Sequence, residues 1–208
     1  MDNNETLNSC LMLAIGLYTP VDLGYIFDES DLKDTGIEVD SHITLLYAQG
    51  RTIDHKGLLD DISNILDPAD VNKFFDSIKD DGLMKVSDMF DLGSFQNDSD
   101  YVVLKLKKDT EMFKFLTLLN KSLKLRHDIS SSFKDYIPHV TLAELNPGCA
   151  EKYMSSETLR KVLEDSAFNF EDLFISYGYS NEPGDRKQYW LTQYKNVDRY
   201  FRLSRLRS

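Results

Sequence analysis

The sequence predicts a mixed α+β protein, and three observations carry that prediction. Some stretches alternate apolar and polar residues with a period of two, as half-buried strands do. Others space their apolar residues three and four apart, as amphipathic helices do. A strand containing a histidine, then helical material, then two strands joined by a turn is an order the chain uses twice. With 208 residues there is room for one sizeable core. The reading is therefore a single domain over residues 1–208, in two similar lobes. The lobes divide at about residues 1–107 and 108–208, with strands open to exchange between them.

The elements follow in order. Leu11 to Tyr18 is an apolar run stopped by Pro20, which fits a strand buried on both faces. Residues 21–39 are acidic and without period, a loop with room for a short helical turn. A strand follows at about residues 41–48, closed by Gly50. From Asp54, Leu58, Leu59, Ile62 and Ile65 recur at helical spacing until Asp67-Pro68. Val71, Phe74, Phe75 and Ile78 mark a second helix ending near Gly82. Residues 84–95 and 101–107 read as strands joined by the turn-rich stretch 96–100. A third helix starts after Asp109 or Thr110, either able to cap it, with a stripe of Met112, Phe115, Leu116, Leu119 and Leu123. A serine loop at 130–132 precedes a strand that begins near His139 and is ended by Asn146-Pro147-Gly148. A fourth helix spans about 150–165, and strands at 170–179 and 188–194 complete the chain.

Two of these strands carry the same pattern. The first reads Ser41-His42-Ile43-Thr44-Leu45-Leu46-Tyr47, the second Pro138-His139-Val140-Thr141-Leu142. Alternation puts His42 and Thr44 on one face of the first strand, and His139 and Thr141 on one face of the second. If the strands are neighbours, two imidazoles and two hydroxyls converge on one groove. Imidazole titrates near 6.5, so one ring can accept a proton while the other donates one. The hydroxyls can donate to non-bridging phosphate oxygens as charge develops there. This chemistry requires no metal and no cofactor, and the chain has no His-Glu-x-x-His spacing.

Composition narrows the partners. A formal charge of −11 disfavours a duplex or long RNA, because phosphate binding relies on Lys and Arg. A small anionic ligand in one local pocket remains open. Basic residues do crowd the last stretch, at Arg186, Lys187, Lys195, Arg199, Arg202, Arg205 and Arg207, as a charged tail or a phosphate-steering rim. Cys10 and Cys149 form no metal spacing and no disulfide framework, so a reducing cytoplasm is the expected compartment. Leu11 to Tyr18 is too short to cross a bilayer, so no membrane partner is expected.

The paired motifs, His42-Ile43-Thr44-Leu45 and His139-Val140-Thr141-Leu142, resemble the double H-φ-[T/S]-φ signature of the 2H phosphoesterase superfamily. Pro138 before the second histidine fits the frequent P-H-[VI]-T form of that signature. The resemblance implies two pseudo-symmetric lobes of antiparallel-rich sheet with outer helices around a central groove. It implies a metal-independent phosphodiesterase with His42, Thr44, His139 and Thr141 as catalytic residues. More narrowly, the extended first motif in a small acidic chain is similar to phage anti-CBASS phosphodiesterases. That implies a cyclic nucleotide or cyclic oligonucleotide messenger as substrate, and host cytoplasm as location if the source is viral. Two alternatives stay open: a 2′,3′-cyclic phosphodiesterase on RNA ends, and a nucleotide-binding sponge that does not cleave.

The resemblance leaves the histidine roles open; the working assignment makes His42 the base and His139 the acid. Tyr18, Tyr47, Tyr136 and Trp190 are candidate substrate-binding aromatics, with core or surface packing as the alternative for Tyr18 and Tyr47 and a core role as that for Trp190. Glu144, three residues past Thr141, should face away from the motif if the strand is regular. Lys105 and Lys107 read as a solvated strand face, and His55 and His127 as surface residues.

Overall fold

A computed structural model describes residues 10–18, 23–38, 41–49, 83–126, 135–178 and 187–190. The helices expected from Asp54 to Gly82, His55, His127, the serine loop and the basic stretch beyond Trp190 lie outside these residues.

Among the described residues the chain is α+β, with antiparallel strands and few helices. In order it runs β1 (Cys10–Tyr18), a 3₁₀ turn (Glu29–Asp31), β2 (Leu32–Ile37), β3 (His42–Gln49), β4 (Leu83–Lys85) and α1 (Val86–Met89). There follow β5 (Phe90–Gln96), β6 (Asp100–Leu106), α2 (Glu111–Arg126), β7 (His139–Leu145), α3 (Ala150–Met154), α4 (Glu157–Glu164), β8 (Ala167–Gly178) and β9 (Lys187–Trp190). The nine described strands form one sheet in the order β4-β8-β1-β3-β7-β6-β5, with β9 on β8 and β2 on β7.

That order makes β3 and β7, the two histidine strands, neighbours. Each has one long antiparallel partner on its outer side, β1 for β3 and β6 for β7. The β5–β6 hairpin follows β3 in sequence but pairs with β7, while β8 follows β7 but pairs with β1. At the seam β3 and β7 pair through Ile43 and Val140. Beyond that pair, β2 continues along the same edge of β7, and the Glu38 N–H donates to the Leu142 carbonyl at 3.0 Å.

The core lies on one face of this sheet. Ile43, Leu45, Leu104, Val140 and Leu142 point into it, against Met112, Leu116, Leu119 and Leu123 of α2. Each such side chain contributes about 1.5–3 kcal/mol relative to leaving it exposed. Helix α2 runs where the apolar stripe placed it. Thr110 is its cap: its hydroxyl oxygen accepts the Phe113 N–H at 3.1 Å and its O–H donates to the Lys107 carbonyl at 2.7 Å.

Four expectations need correction. The stretch 21–39 holds a strand, β2, as well as the short turn; its pairing is with β7, and no local period announces it. The strand expected at 84–95 is broken by α1, whose Val86 and Met89 are buried one helical turn apart. The fourth helix is two, because the Ser156 hydroxyl accepts the Leu159 N–H at 3.2 Å and so starts a new helix. Strand β8 starts at Ala167, earlier than its apolar run suggested, and the three residues Ala167, Phe168 and Asn169 pair with β4.

Candidate active site

Ile43 and Val140 are fully buried at the seam. Their neighbours His42, Thr44, His139 and Thr141 therefore stand on the opposite face, half-buried. Taken from the Ile43–Val140 pair, His42 is level with Thr141 and Thr44 with His139. The two histidines thus stand diagonally across the seam, a spacing of roughly 7–8 Å between strand positions.

Both motif strands carry a β-bulge at the same place. Thr44 pairs with Ala14 and Leu46 with Leu13, which leaves Leu45 as the extra residue. Thr141 pairs with Val103 and Ala143 with Val102, which leaves Leu142 as the extra residue. Burial records the same event: two consecutive residues are buried in each strand, Leu45-Leu46 and Leu142-Ala143. A bulge disturbs the ladder and resets the alternation beyond it. In β3 the displaced Leu45 carbonyl accepts a hydrogen bond from the amide of Asn120, a buried residue of α2.

The environment of His139 defines its chemistry. Its Nδ1 lies 2.7 Å from the Ile137 carbonyl oxygen, which can only accept. Nδ1 is therefore the protonated nitrogen, and in the neutral ring Nε2 carries the lone pair. The Phe95 ring packs edge-on against the imidazole, with centroids 4.8 Å apart and planes at 74°. Burial pushes the pKa of His139 below the ordinary imidazole value, the bond to Ile137 opposes that, and the charges of His42 and Lys105 add to the lowering.

Lys105 is not the solvated side chain the sequence suggested. Its ammonium donates to the Ser94 carbonyl at 3.0 Å and lies 4.5 Å from the centre of the Phe95 ring. Gly93 makes this possible: a Cβ there would come within 2.8 Å of the Lys105 Cε. Lys107 also folds back, donating to the Ser87 carbonyl at 2.7 Å.

The candidate aromatics divide. Tyr18 ends β1, two positions beyond Gly16, which is registered opposite His42, and pairs with Asn169 of β8. Tyr47 is registered opposite Met12, on the far side of the Leu45 bulge from Thr44. Trp190 pairs with Phe174, which pairs with Ala14, which pairs with Thr44. It stands three strands from Thr44, about 14 Å at the ~4.8 Å spacing of neighbouring strands. Tyr136 has a different position: its hydroxyl donates to the Thr44 carbonyl at 2.9 Å and ties the approach to β7 onto β3. Burial pushes that phenol well above its ordinary pKa.

Glu144 corrects the expectation made for it. The extra residue Leu142 shifts the parity of β7, so Glu144 pairs with Tyr101, and Tyr101, Val103 and Lys105 share the face of β6 that meets Thr141 and His139. The Tyr101 hydroxyl donates to Glu144 Oε1 at 3.1 Å. Glu144, Tyr101, Phe95 and Lys105 are the site-face residues that sequence reasoning missed. Alternation alone marked Tyr101 and Lys105 as sharing a face, but nothing local assigned that face to the histidines. Among the described residues no three His, Cys, Asp or Glu side chains gather so as to hold a metal ion. Nor, among those residues, is any helix long and apolar enough to cross a membrane. No protein-family model matches the chain, and a search of curated proteins finds no match.

Proposed function

We propose that the chain is a phosphodiesterase of the 2H type that acts on cyclic nucleotides or cyclic oligonucleotide messengers, without a metal. The observation that carries this is the seam pair Ile43–Val140, which sets two His-φ-Thr faces side by side. The reading of two pseudo-symmetric lobes about a groove is supported by the matching bulges at Leu45 and Leu142. It is also supported by the strand order, which runs outward from the seam as β3-β1-β8 on one side and β7-β6-β5 on the other.

In this reading His139 Nε2 takes the proton of the attacking group, a ribose 2′-hydroxyl or a water. The nucleophile's oxygen bonds to phosphorus, the opposing P–O bond breaks, and His42 protonates the leaving oxygen. Thr44 and Thr141 donate to the non-bridging oxygens. A low pKa and a fixed Nδ1–H suit His139 to be the base, which reverses the working assignment made from sequence. The labels exchange when the reaction runs backward.

The test is incubation of the protein with cyclic mono-, di- and trinucleotides and a 2′,3′-cyclic RNA end, with products resolved by chromatography. Cleavage of a cyclic nucleotide or cyclic oligonucleotide at an undiminished rate in chelator is the expected result. Cleavage of the RNA end alone selects the RNA-repair alternative. Tight binding without product selects the sponge, and complete loss of activity in chelator points to a metal hydrolase.

A further inference from the structure

We propose that Glu144 and Tyr101 form a base-reading subsite for guanine, placed one nucleotide's length along β7 from Thr141, which is level with His42. The inference rests on the phosphodiesterase reading above and names the substrate feature that this site would select.

Three observations lead to it. First, the Leu142 bulge brings a carboxylate to the same face as Thr141 and His139, where a regular strand would have turned it away. A carboxylate repels phosphate, so on this face it suits another part of the substrate. Second, Glu144 is held in place. Tyr101 occupies one position on Oε1, and the phenol is kept a donor because burial, reinforced by the nearby carboxylate, raises its pKa although a bond from Ser99 acts the other way. A carboxylate has about four acceptor positions, so the others remain for a ligand. Third, the distance is suitable. Tyr101, paired with Glu144, stands two residues from Val103, which is paired with Thr141. At about 3.3 Å per residue that is roughly 7 Å, the reach from a phosphate across its ribose to the base. Phe95, registered opposite Tyr101 and packed against His139, flanks the same path.

The chemistry of the acceptor picks the base. A carboxylate held edge-on takes two parallel N–H donors. Guanine presents adjacent donors, its N1–H and the amino group at C2. Adenine and cytosine place a ring acceptor beside their amino group, and uracil flanks its single N–H with two carbonyls. Only guanine, among the four, offers the carboxylate two adjacent donors.

The experiment measures dissociation constants of GMP, AMP, CMP and UMP by calorimetry, and kcat/KM for guanine- and uracil-containing cyclic dinucleotides, in the wild-type chain, Glu144→Gln and Tyr101→Phe. Far-ultraviolet circular dichroism and melting check that each variant is folded. The wild-type protein should prefer GMP to UMP by about tenfold to hundredfold, and Glu144→Gln should reduce that ratio to about threefold or less. Tyr101→Phe should lose a smaller part of it. A wild-type protein without guanine preference, or a Glu144→Gln variant that keeps it, overturns the subsite. Turnover with an unchanged base ranking removes the subsite and leaves the phosphodiesterase reading standing. Guanine-selective binding that is lost in Glu144→Gln, with no turnover of any substrate, does the reverse.

Discussion

β3 and β7 are built to one local plan and placed in different surroundings. Each offers a histidine and a threonine to one face, buries a β-branched residue between them, and then bulges at leucine. Around β3 the bulge is supported from the core, where Asn120 of α2 satisfies the Leu45 carbonyl. Around β7 the control lies on the site face, where Ile137, Phe95 and Lys105 fix the tautomer and charge of His139. The same four-residue pattern therefore supplies two imidazoles of similar position, of which His139 is held below the ordinary imidazole pKa, chiefly by burial.

The comparison can be broken most sharply at the histidines. His139→Ala and His42→Ala should each lower kcat by about 10²–10⁴-fold with the circular dichroism spectrum unchanged. In the proposed mechanism, where His139 is the base, His139→Ala should also remove the acidic limb of the residual rate. Full activity in either variant would exclude the paired mechanism.

The support beneath β3 comes next in size. Asn120→Ala leaves the Leu45 carbonyl buried without its partner, and a loss of about 1–3 kcal/mol is expected in urea unfolding. Tyr136→Phe removes the bond from β7's approach to the Thr44 carbonyl and should cost about 0.5–1.5 kcal/mol. A cost for Tyr136→Phe larger than that for Asn120→Ala would make the tie across the seam, not the core bulge, the principal support.

The finest test concerns charge alone. Lys105 lowers the pKa of His139, because a nearby cation disfavours the protonated ring. Lys105→Met takes that charge away, the pKa rises toward the ordinary value, and the acidic limb of kcat/KM moves to higher pH. An unmoved or oppositely shifted limb would show that the ammonium does not act on the base.

Much of this was legible in the residues. The alternation of His42 with Ile43 and of His139 with Val140 is a property of any extended chain, and it alone put each histidine beside its threonine. The stripe from Met112 to Leu123 likewise predicts α2 from helical period. What was not legible has a common cause. β2 carries no period of its own and is a strand because β7 offers it an edge. Lys105 reads as solvated until Gly93, on another strand, leaves the space it fills.

The sequence by itself determined which residues share a face within each short segment, because side-chain direction follows from backbone geometry two residues at a time. Only the tertiary structure decided that β3 and β7 lie side by side, since the two are far apart in the chain and each takes its long outer partner from an earlier strand, β1 and β6. It alone decided, too, that Glu144 joins the histidine face. A bulge is an extra residue counted against a partner strand, so its effect on parity does not exist until the partner is in register.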